Sequence, residues 1–158
     1  MKLARTIRFD ESDQNVFARP AETGEWAIPG GFEFSNWTAG ELVGKKRQAF
    51  ANGWLGLDSF GRATFVAVAE MEQAEHDALV QQLAAHFVTY YGAPNAEAAS
   101  GVAIEEIAFM AELCEDHPPN TLLAVSRELT EAGVKEAFRH IAPQDADIDI
   151  VAVHGSVD

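Results

Sequence analysis

The sequence predicts an α+β fold in a single domain over residues 1–158, with helices on one face of a mixed or antiparallel sheet. The length of 158 residues is in the usual range for one domain. An apolar fraction of 47% and a charged fraction of 23% are typical of globular chains. Strand-like and helix-like apolar periodicities both occur, and their later order is strand, paired helices, strand, helix, strand.

The first 69 residues are predicted to contain two strands, a loop and one helix. Residues 2–9 alternate apolar and polar side chains, which predicts a strand with one solvated face. Residues 18–38 hold prolines and glycines among aromatic side chains, which favours an ordered, packed loop. Residues 39–51 have the spacing of an amphipathic helix, with Thr38 as its N-cap. Residues 62–69 are almost continuously apolar and predict a central strand.

The later part of the chain carries the surest helices. Apolar side chains recur at helical spacing over residues 72–91 and again over residues 96–115. We expect these helices to form an inserted antiparallel pair, and a ferredoxin-like core is one candidate for the fold that contains them. Residues 121–126 predict a strand, residues 130–141 a capped helix, and residues 148–153 a final alternating strand.

Charge is distributed unevenly along this acidic chain. The formal net charge is −14, yet residues 1–50 hold seven basic and seven acidic side chains. Between Arg62 and Arg127 there are ten acids and no Lys or Arg. Such a field repels polyanions, so nucleic acid is not expected as a partner. Solvated helix faces explain the acids most simply. A docking face for a basic partner and a homodimer that pairs the two halves stay open.

Several protein classes are excluded on composition. No apolar run approaches the roughly 18 residues that a membrane-spanning helix needs, so no membrane contact is expected. The amino end lacks the apolar stretch of an export signal. Cys114 is the single cysteine and has no partner for an internal disulfide. These features predict a cytoplasmic protein.

The segment 26–62 holds the features most typical of a binding site. It combines large aromatic side chains with glycines and with the cationic group Lys45, Lys46 and Arg47. Aromatic residues dominate protein cores, but with cations and glycines nearby they also line clefts and interfaces. A P-loop is rejected, because Gly40 and Gly44 are separated by three residues rather than four. The candidate ligand-binding residues are Trp26, Trp37, Lys45, Lys46, Arg47 and Trp54.

A second candidate site lies on the helix pair 72–117. Cys114 and His117 are three residues apart and can face one ligand, but structural zinc needs four ligands and no second cysteine exists. Neighbouring helices can contribute further carboxylates or histidines. The metal candidates are therefore His86, Glu106, Cys114 and His117, and a core-facing cysteine beside a helix-terminal histidine is the simpler interpretation.

Three segments carry a resemblance to a known family. They are residues 19–32, residues 45–61 and His117-Pro118-Pro119-Asn120-Thr121-Leu122-Leu123-Ala124-Val125. Together they resemble a family of uncharacterised bacterial proteins classed as a domain of unknown function. The resemblance covers nearly the whole chain and implies an intracellular bacterial protein of about this length. It carries over no activity, cofactor or catalytic residue to this chain.

Two functional hypotheses follow. The first is a non-enzymatic binding or accessory protein that uses region 26–62 for a protein partner or a small anionic ligand, as a homodimer. The second is a small metal-dependent or other enzyme with its site on the helix pair 72–117. No cofactor can be assigned from the sequence.

Overall fold

The computed structural model describes residues 1–8, 16–35, 37 and 39–141. Within these residues the chain forms an α+β fold. The α-helices are α1 (Gly44–Asn52), α2 (Gln73–Tyr90) and α3 (Ala96–Glu115), and short 3-10 helices cover Gly31–Phe34 and Ala39–Glu41. The strands are β1 (Lys2–Ile7), β2 (Trp26–Ile28), β3 (Trp54–Gly56), β4 (Arg62–Ala63), β5 (Phe65–Glu70), β6 (Leu122–Thr130) and β7 (Gly133–Ile141).

The strands form one sheet in the order β4-β3-β2-β1-β5-β6-β7. Each pairing between these strands is antiparallel. The central strand β5 pairs with β1 on one side and with β6 on the other, for example Val66 with Thr6 and with Leu123. Its run of buried residues agrees with the central position that its apolar sequence predicts.

The core lies between the sheet and the helices α2 and α3, which pack against each other. Leu83 of α2 and Ile107 and Met110 of α3 have no exposed surface, and they join Leu3 and Val68 of the sheet in one apolar cluster. Each such side chain contributes about 1.5–3 kcal/mol through burial. The helical spacing in the sequence predicts these contacts correctly.

Capping side chains explain where helices α2 and α3 begin. The carboxylate of Glu72 accepts a hydrogen bond from the backbone N–H of Glu75, and the carboxylate of Glu75 accepts one from the backbone N–H of Glu72. These two bonds form a capping box at the start of α2. Asn95 caps α3 by accepting from the backbone N–H of Ala98. Helix α1 begins later than expected, at Gly44 after Val43. The predicted cap Thr38 lies outside the described residues.

The helix predicted over residues 130–141 is wrong, because this segment is strand β7. Thr130 pairs with Gly133, whose φ of 118° closes a tight turn between β6 and β7. Partly buried Val134, Glu136 and Phe138 alternate with exposed side chains, a period of two that the helix assignment overlooked. Pairing with β6 along its whole length makes this segment a strand, and a favourable residue for a helix N-cap is too weak to oppose that pairing.

Of the remaining fold predictions, some are corrected by the structure and one lies outside the described residues. The loop expected over residues 18–38 contains strand β2 and a 3-10 helix, and strand β3 lies in a segment for which no element was predicted. The ferredoxin-like core is not confirmed by this strand order. The final strand predicted over residues 148–153 lies outside the described residues. In the described part of the chain, no helix is long and apolar enough to cross a membrane.

Candidate functional site

A cleft of about 520 Å³ opens beside the carboxyl end of α2. One wall comes from Tyr90 and Tyr91 at that end of the helix, together with His86 one turn earlier. The opposite wall comes from the segments before and after β2 and from the loop between β3 and β4. The lining residues are Arg19, Glu33, Trp37, Phe60, His86, Tyr90 and Tyr91.

Aromatic rings stack at the centre of this cleft. The rings of Phe60 and His86 are parallel within 2°, with centroids 3.8 Å apart. Tyr90 and Tyr91 lie 4.9 and 5.6 Å from the His86 ring at tilted angles. Burial lowers the pKa of His86 below its usual value, and nearby Arg19 acts in the same direction, while Glu33 opposes both. His86 is therefore a neutral imidazole at pH 7.

A buried carboxylate holds the loop that presents Phe60. Glu25 is 6% exposed and accepts hydrogen bonds from the backbone N–H groups of Asp58 and Ser59 at 3.0 and 2.7 Å. It also accepts from the Ser59 hydroxyl and from the backbone of Glu22, each at 2.7 Å. Phe60 has a φ of 57°, a left-handed conformation that is costly for a bulky residue. The Glu25 clamp maintains that conformation.

Glu33 connects the cleft to the interior. Its Oε2 accepts a hydrogen bond from the Tyr91 hydroxyl at 3.0 Å, and its Oε1 accepts from Nη2 of Arg62 at 2.7 Å. Burial and the charge of Glu33 raise the pKa of Tyr91 well above its ordinary value. Tyr91 therefore stays protonated and donates to Glu33 across the neutral pH range.

Two buried arginines lie behind this wall. Arg62 donates to the carbonyls of Pro29, Gly30 and Gly53 at 3.1–3.2 Å. Arg127 donates to Pro29 as well, to Gly53 at 2.9 Å, to Phe50 at 3.0 Å and to the Glu136 carboxylate at 2.7 Å. These bonds tie β2, α1, β4, β6 and β7 together.

The ring of Phe34 completes this buried arginine pair, Arg62 and Arg127. Their guanidinium carbons lie 4.5 and 5.2 Å from its centre. Burial lowers the pKa of both guanidinium groups. Gly30 is required here, since a Cβ at this left-handed position lies 2.5 Å from Leu55 and 3.1 Å from Arg62.

A second, smaller groove of about 310 Å³ lies between α3 and β7. Glu106 of α3 and Glu136 of β7 both line it, together with Phe109. Burial raises the pKa of Glu106, and the charges of Glu136 and Glu105 add to the effect. The neighbouring Arg127 already binds Glu136, so this groove offers one partly desolvated carboxyl group.

The predicted ligand-binding residues separate into four places. Trp37 lines the cleft, and the ammonium group of Lys46 lies 5.9 Å from the centre of its ring. Trp26 lies elsewhere, beneath the Arg5 guanidinium at 3.9 Å. Trp54 has no exposed surface and belongs to the core. Lys45 and Arg47 are exposed on α1 and do not line the cleft.

The predicted metal candidates are also dispersed. His86 lies in the cleft and Glu106 in the groove by β7. Cys114 has no exposed surface, and burial raises the pKa of its thiol to about 12. His117 lies 4.5 Å from the ring of His140. No group of three or more His, Cys, Asp or Glu residues suited to a metal ion occurs within the described ranges.

Several residues of the site were not singled out from the sequence. Glu33 lies between Phe32 and Phe34, and a carboxylate within an aromatic run is a signal for a specific partner. Arg62 and Arg127 bound the longest basic-free window, and each lies in or beside an apolar strand. No local pattern identifies Arg19 or Tyr90, because their shared cleft depends on tertiary contacts.

Comparison with known proteins agrees with the resemblance of the sequence. A family model described as a family of unknown function (DUF6505) matches residues 1–158. No curated protein and no solved structure matches the chain.

Proposed function

Since the chain belongs to DUF6505, a family of unknown function, we propose a function from its own geometry: it is a binding protein for a small molecule. The binding site is the cleft between the Phe60 loop and the end of α2. The observation that carries this proposal is the stack of Phe60 on His86, held at 3.8 Å by a loop in a strained conformation.

The size and lining of the cleft support a small ligand. Its volume of about 520 Å³ lies within the roughly 300–1,000 Å³ of sites for small molecules. Such sites combine apolar and aromatic walls with a few polar groups that orient the ligand. Here Trp37, Phe60 and Tyr90 provide aromatic surface, while Arg19 and His86 provide polar atoms.

The rigidity of the Phe60 loop also supports this proposal. A left-handed bulky residue costs about 1–3 kcal/mol, which the surrounding contacts have to offset. The bonds of Glu25 to the loop supply that support. Strain of this kind concentrates at ligand sites, and a wall fixed beforehand reduces the entropy lost on binding.

Tryptophan fluorescence tests the proposal with a matched pair of variants. A panel of small aromatic compounds is screened by thermal shift, and each stabilising compound is titrated into Trp37→Phe and Trp26→Phe. A ligand in the cleft changes the emission of Trp26→Phe, which keeps Trp37, and leaves that of Trp37→Phe nearly unchanged. Equal changes in both variants place the ligand elsewhere and contradict the proposal.

An enzyme at the same cleft is the second candidate. The observation that favours it is a neutral His86 near Glu33, whose carboxylate accepts from the Tyr91 hydroxyl. An imidazole of lowered pKa can accept a proton at neutral pH. Compounds that bind are incubated with the protein and followed by NMR. Conversion that His86→Asn abolishes while binding persists supports an enzyme, and unchanged compounds support a binding protein.

The sequence also predicts a homodimer in the cytoplasm, and both points stay predictions. Light scattering coupled to size-exclusion chromatography compares the particle mass with the 17.1 kDa of one chain. A mass near twice that value supports the dimer.

A further inference from the structure

We propose that the ligand of this cleft is a flat aromatic compound bearing one anionic group, a carboxylate or a phosphate, which Arg19 binds. This inference rests on the proposed function and adds the ring shape and the charge of the ligand.

The charge of the cleft wall carries the argument. Glu33 is the acidic side chain of the lining, and both of its oxygens already have partners. Oε1 forms an ion pair with Arg62 at 2.7 Å, and Oε2 accepts from Tyr91 at 3.0 Å. A bound ligand therefore meets a carboxylate whose charge is already compensated from inside the protein.

Arg19 supplies positive charge without such a partner. It lines the cleft, and within the described residues its side chain forms no ion pair. Its backbone is fixed, since its carbonyl accepts from the N–H of Arg62 at 2.8 Å. A guanidinium group on a fixed backbone binds carboxylates and phosphates through paired hydrogen bonds.

Lys46 adds a second cation at the edge. Its ammonium group lies 5.9 Å from the ring of Trp37, which lines the same cleft. Among the described residues, these two cations and one compensated carboxylate give the cleft and its edge a positive excess, although the chain as a whole has a net charge of −14. An anion is favoured here over the rest of the surface.

The aromatic walls explain why the ligand is flat. Phe60 and His86 are stacked face to face, so a planar ring can extend the stack, and Trp37 and Tyr90 offer further aromatic surface. Aromatic walls also attract cations. A cationic ligand is disfavoured, however, because it competes with buried Arg62 for Glu33 and lies close to the positive charge of Arg19.

A matched set of naphthalene compounds tests the charge by isothermal titration calorimetry. The compounds are 2-naphthoate, 2-naphthyl phosphate, the neutral 2-naphthamide and the cationic 2-naphthylmethylamine. We expect at least one anion to bind about ten-fold or more tightly than the amide, and the amine to bind more weakly still. The two anions distinguish a carboxylate from a phosphate ligand.

Arg19→Gln locates the anionic group, and Arg47→Gln is its matched control. Arg47 is exposed on α1 and does not line the cleft. We expect Arg19→Gln to reduce the affinity for the anion to that for the amide, and Arg47→Gln to leave it unchanged. Equal losses in the two variants indicate general attraction of anions and overturn the inference.

The outcomes separate this inference from the proposed function. If the amide or the amine binds at least as tightly as both anions, the anionic ligand is wrong while the binding cleft stands. If none of the four compounds binds at millimolar concentration, the proposed function itself is contradicted, and this inference falls with it.

Discussion

Arginine residues occupy both the interior and the cleft, with opposite surroundings. The buried pair, Arg62 and Arg127, donates to backbone carbonyls and to the carboxylates of Glu33 and Glu136. Arg19 is exposed and has no ion pair within the described residues. Arg62 and Arg127 are only 4% and 6% exposed and so are not available to a ligand, although Nε of Arg62 has no hydrogen-bond partner among the described residues. The side chain of Arg19 is exposed.

The buried arginines therefore contribute to the stability of the fold, whereas the exposed Arg19 is available for binding. A desolvated guanidinium is tolerated only where fixed acceptors replace its water, so Arg62 and Arg127 organise the loops around them. An exposed guanidinium contributes little to stability, because water already solvates it. The cleft therefore places an exposed cation, Arg19, against a wall that the buried pair makes rigid.

The largest expected effect is on stability, at Arg127. Arg127→Ala removes bonds to Phe50, Gly53 and Glu136, and it leaves the carbonyls of Phe50 and Gly53 buried without this donor. We expect the free energy of unfolding to fall by about 3–5 kcal/mol, measured by urea denaturation. Exposed Arg139→Ala on β7 is the control, expected to change it by less than about 0.5 kcal/mol. Equal effects contradict a structural role for the buried pair.

Glu25 is expected to contribute both to the stability of the fold and to the shape of the cleft. Glu25→Ala leaves the backbone N–H groups of Asp58 and Ser59 without their acceptor and releases Phe60 from its strained position. We expect a loss of about 1–3 kcal/mol in the free energy of unfolding and weaker binding of any cleft ligand. Exposed Glu22→Ala serves as the control and should retain both. A Glu25→Ala variant with unchanged binding shows that the clamp does not shape the cleft.

Arg19 is expected to have the reverse profile of Arg127. Arg19→Gln should change the free energy of unfolding by less than about 0.5 kcal/mol, because the side chain is exposed and its backbone bond to Arg62 persists. Urea denaturation measures this alongside Arg127→Ala. A loss comparable to that of Arg127→Ala removes the distinction between the interior and the cleft.

The smallest expected effect concerns pH, through His86. Its pKa is lowered in the folded state, whereas the unfolded chain titrates near 6.5. The stability contributed by neutral His86 is complete above about pH 6.5. It declines as the pH falls towards the folded pKa, since the unfolded state binds the proton first.

The variant His86→Phe, which retains an aromatic ring beside Phe60, isolates that contribution. We expect the unfolding free energy of the natural protein to fall more than that of the variant between pH 7 and pH 5. The remaining histidines are common to both proteins and cancel in the difference. Parallel pH curves for the two proteins contradict a lowered pKa at His86.

Much of the fold was predictable because it rests on local periodicity. The helical spacing of apolar residues predicts α2 and α3 almost to their ends. The nearly continuous apolar run 62–69 predicts strand β5, although its first two residues belong to the edge strand β4. The sequence prediction assigns a helix to the segment that forms strand β7, although partly buried and exposed side chains alternate there. Pairing with β6, and not local capping chemistry, determines the conformation of this segment. Short strands such as β3 have too few residues to show a period.

The site was predictable in part. The choice of region 26–62 includes Glu33, Trp37, Phe60 and Arg62, and the alternative on the helix pair includes His86. Neither hypothesis anticipated that the two regions meet. Of the three tryptophans, only the structure assigns Trp54 to the core and Trp37 to the cleft. Residues equally apolar in sequence differ in exposure once the sheet is formed.

The sequence by itself determined the α+β class, the two long helices and the uneven charge, because these depend on composition and on the spacing of neighbours. Only the tertiary structure decided which charges are compensated. Arg127 meets Pro29 across 98 positions of the chain, and Tyr91 meets Glu33 across 58. Contacts between such distant residues leave no periodic trace, so the exposed cation of the cleft and the buried cations of the interior are indistinguishable until the chain folds.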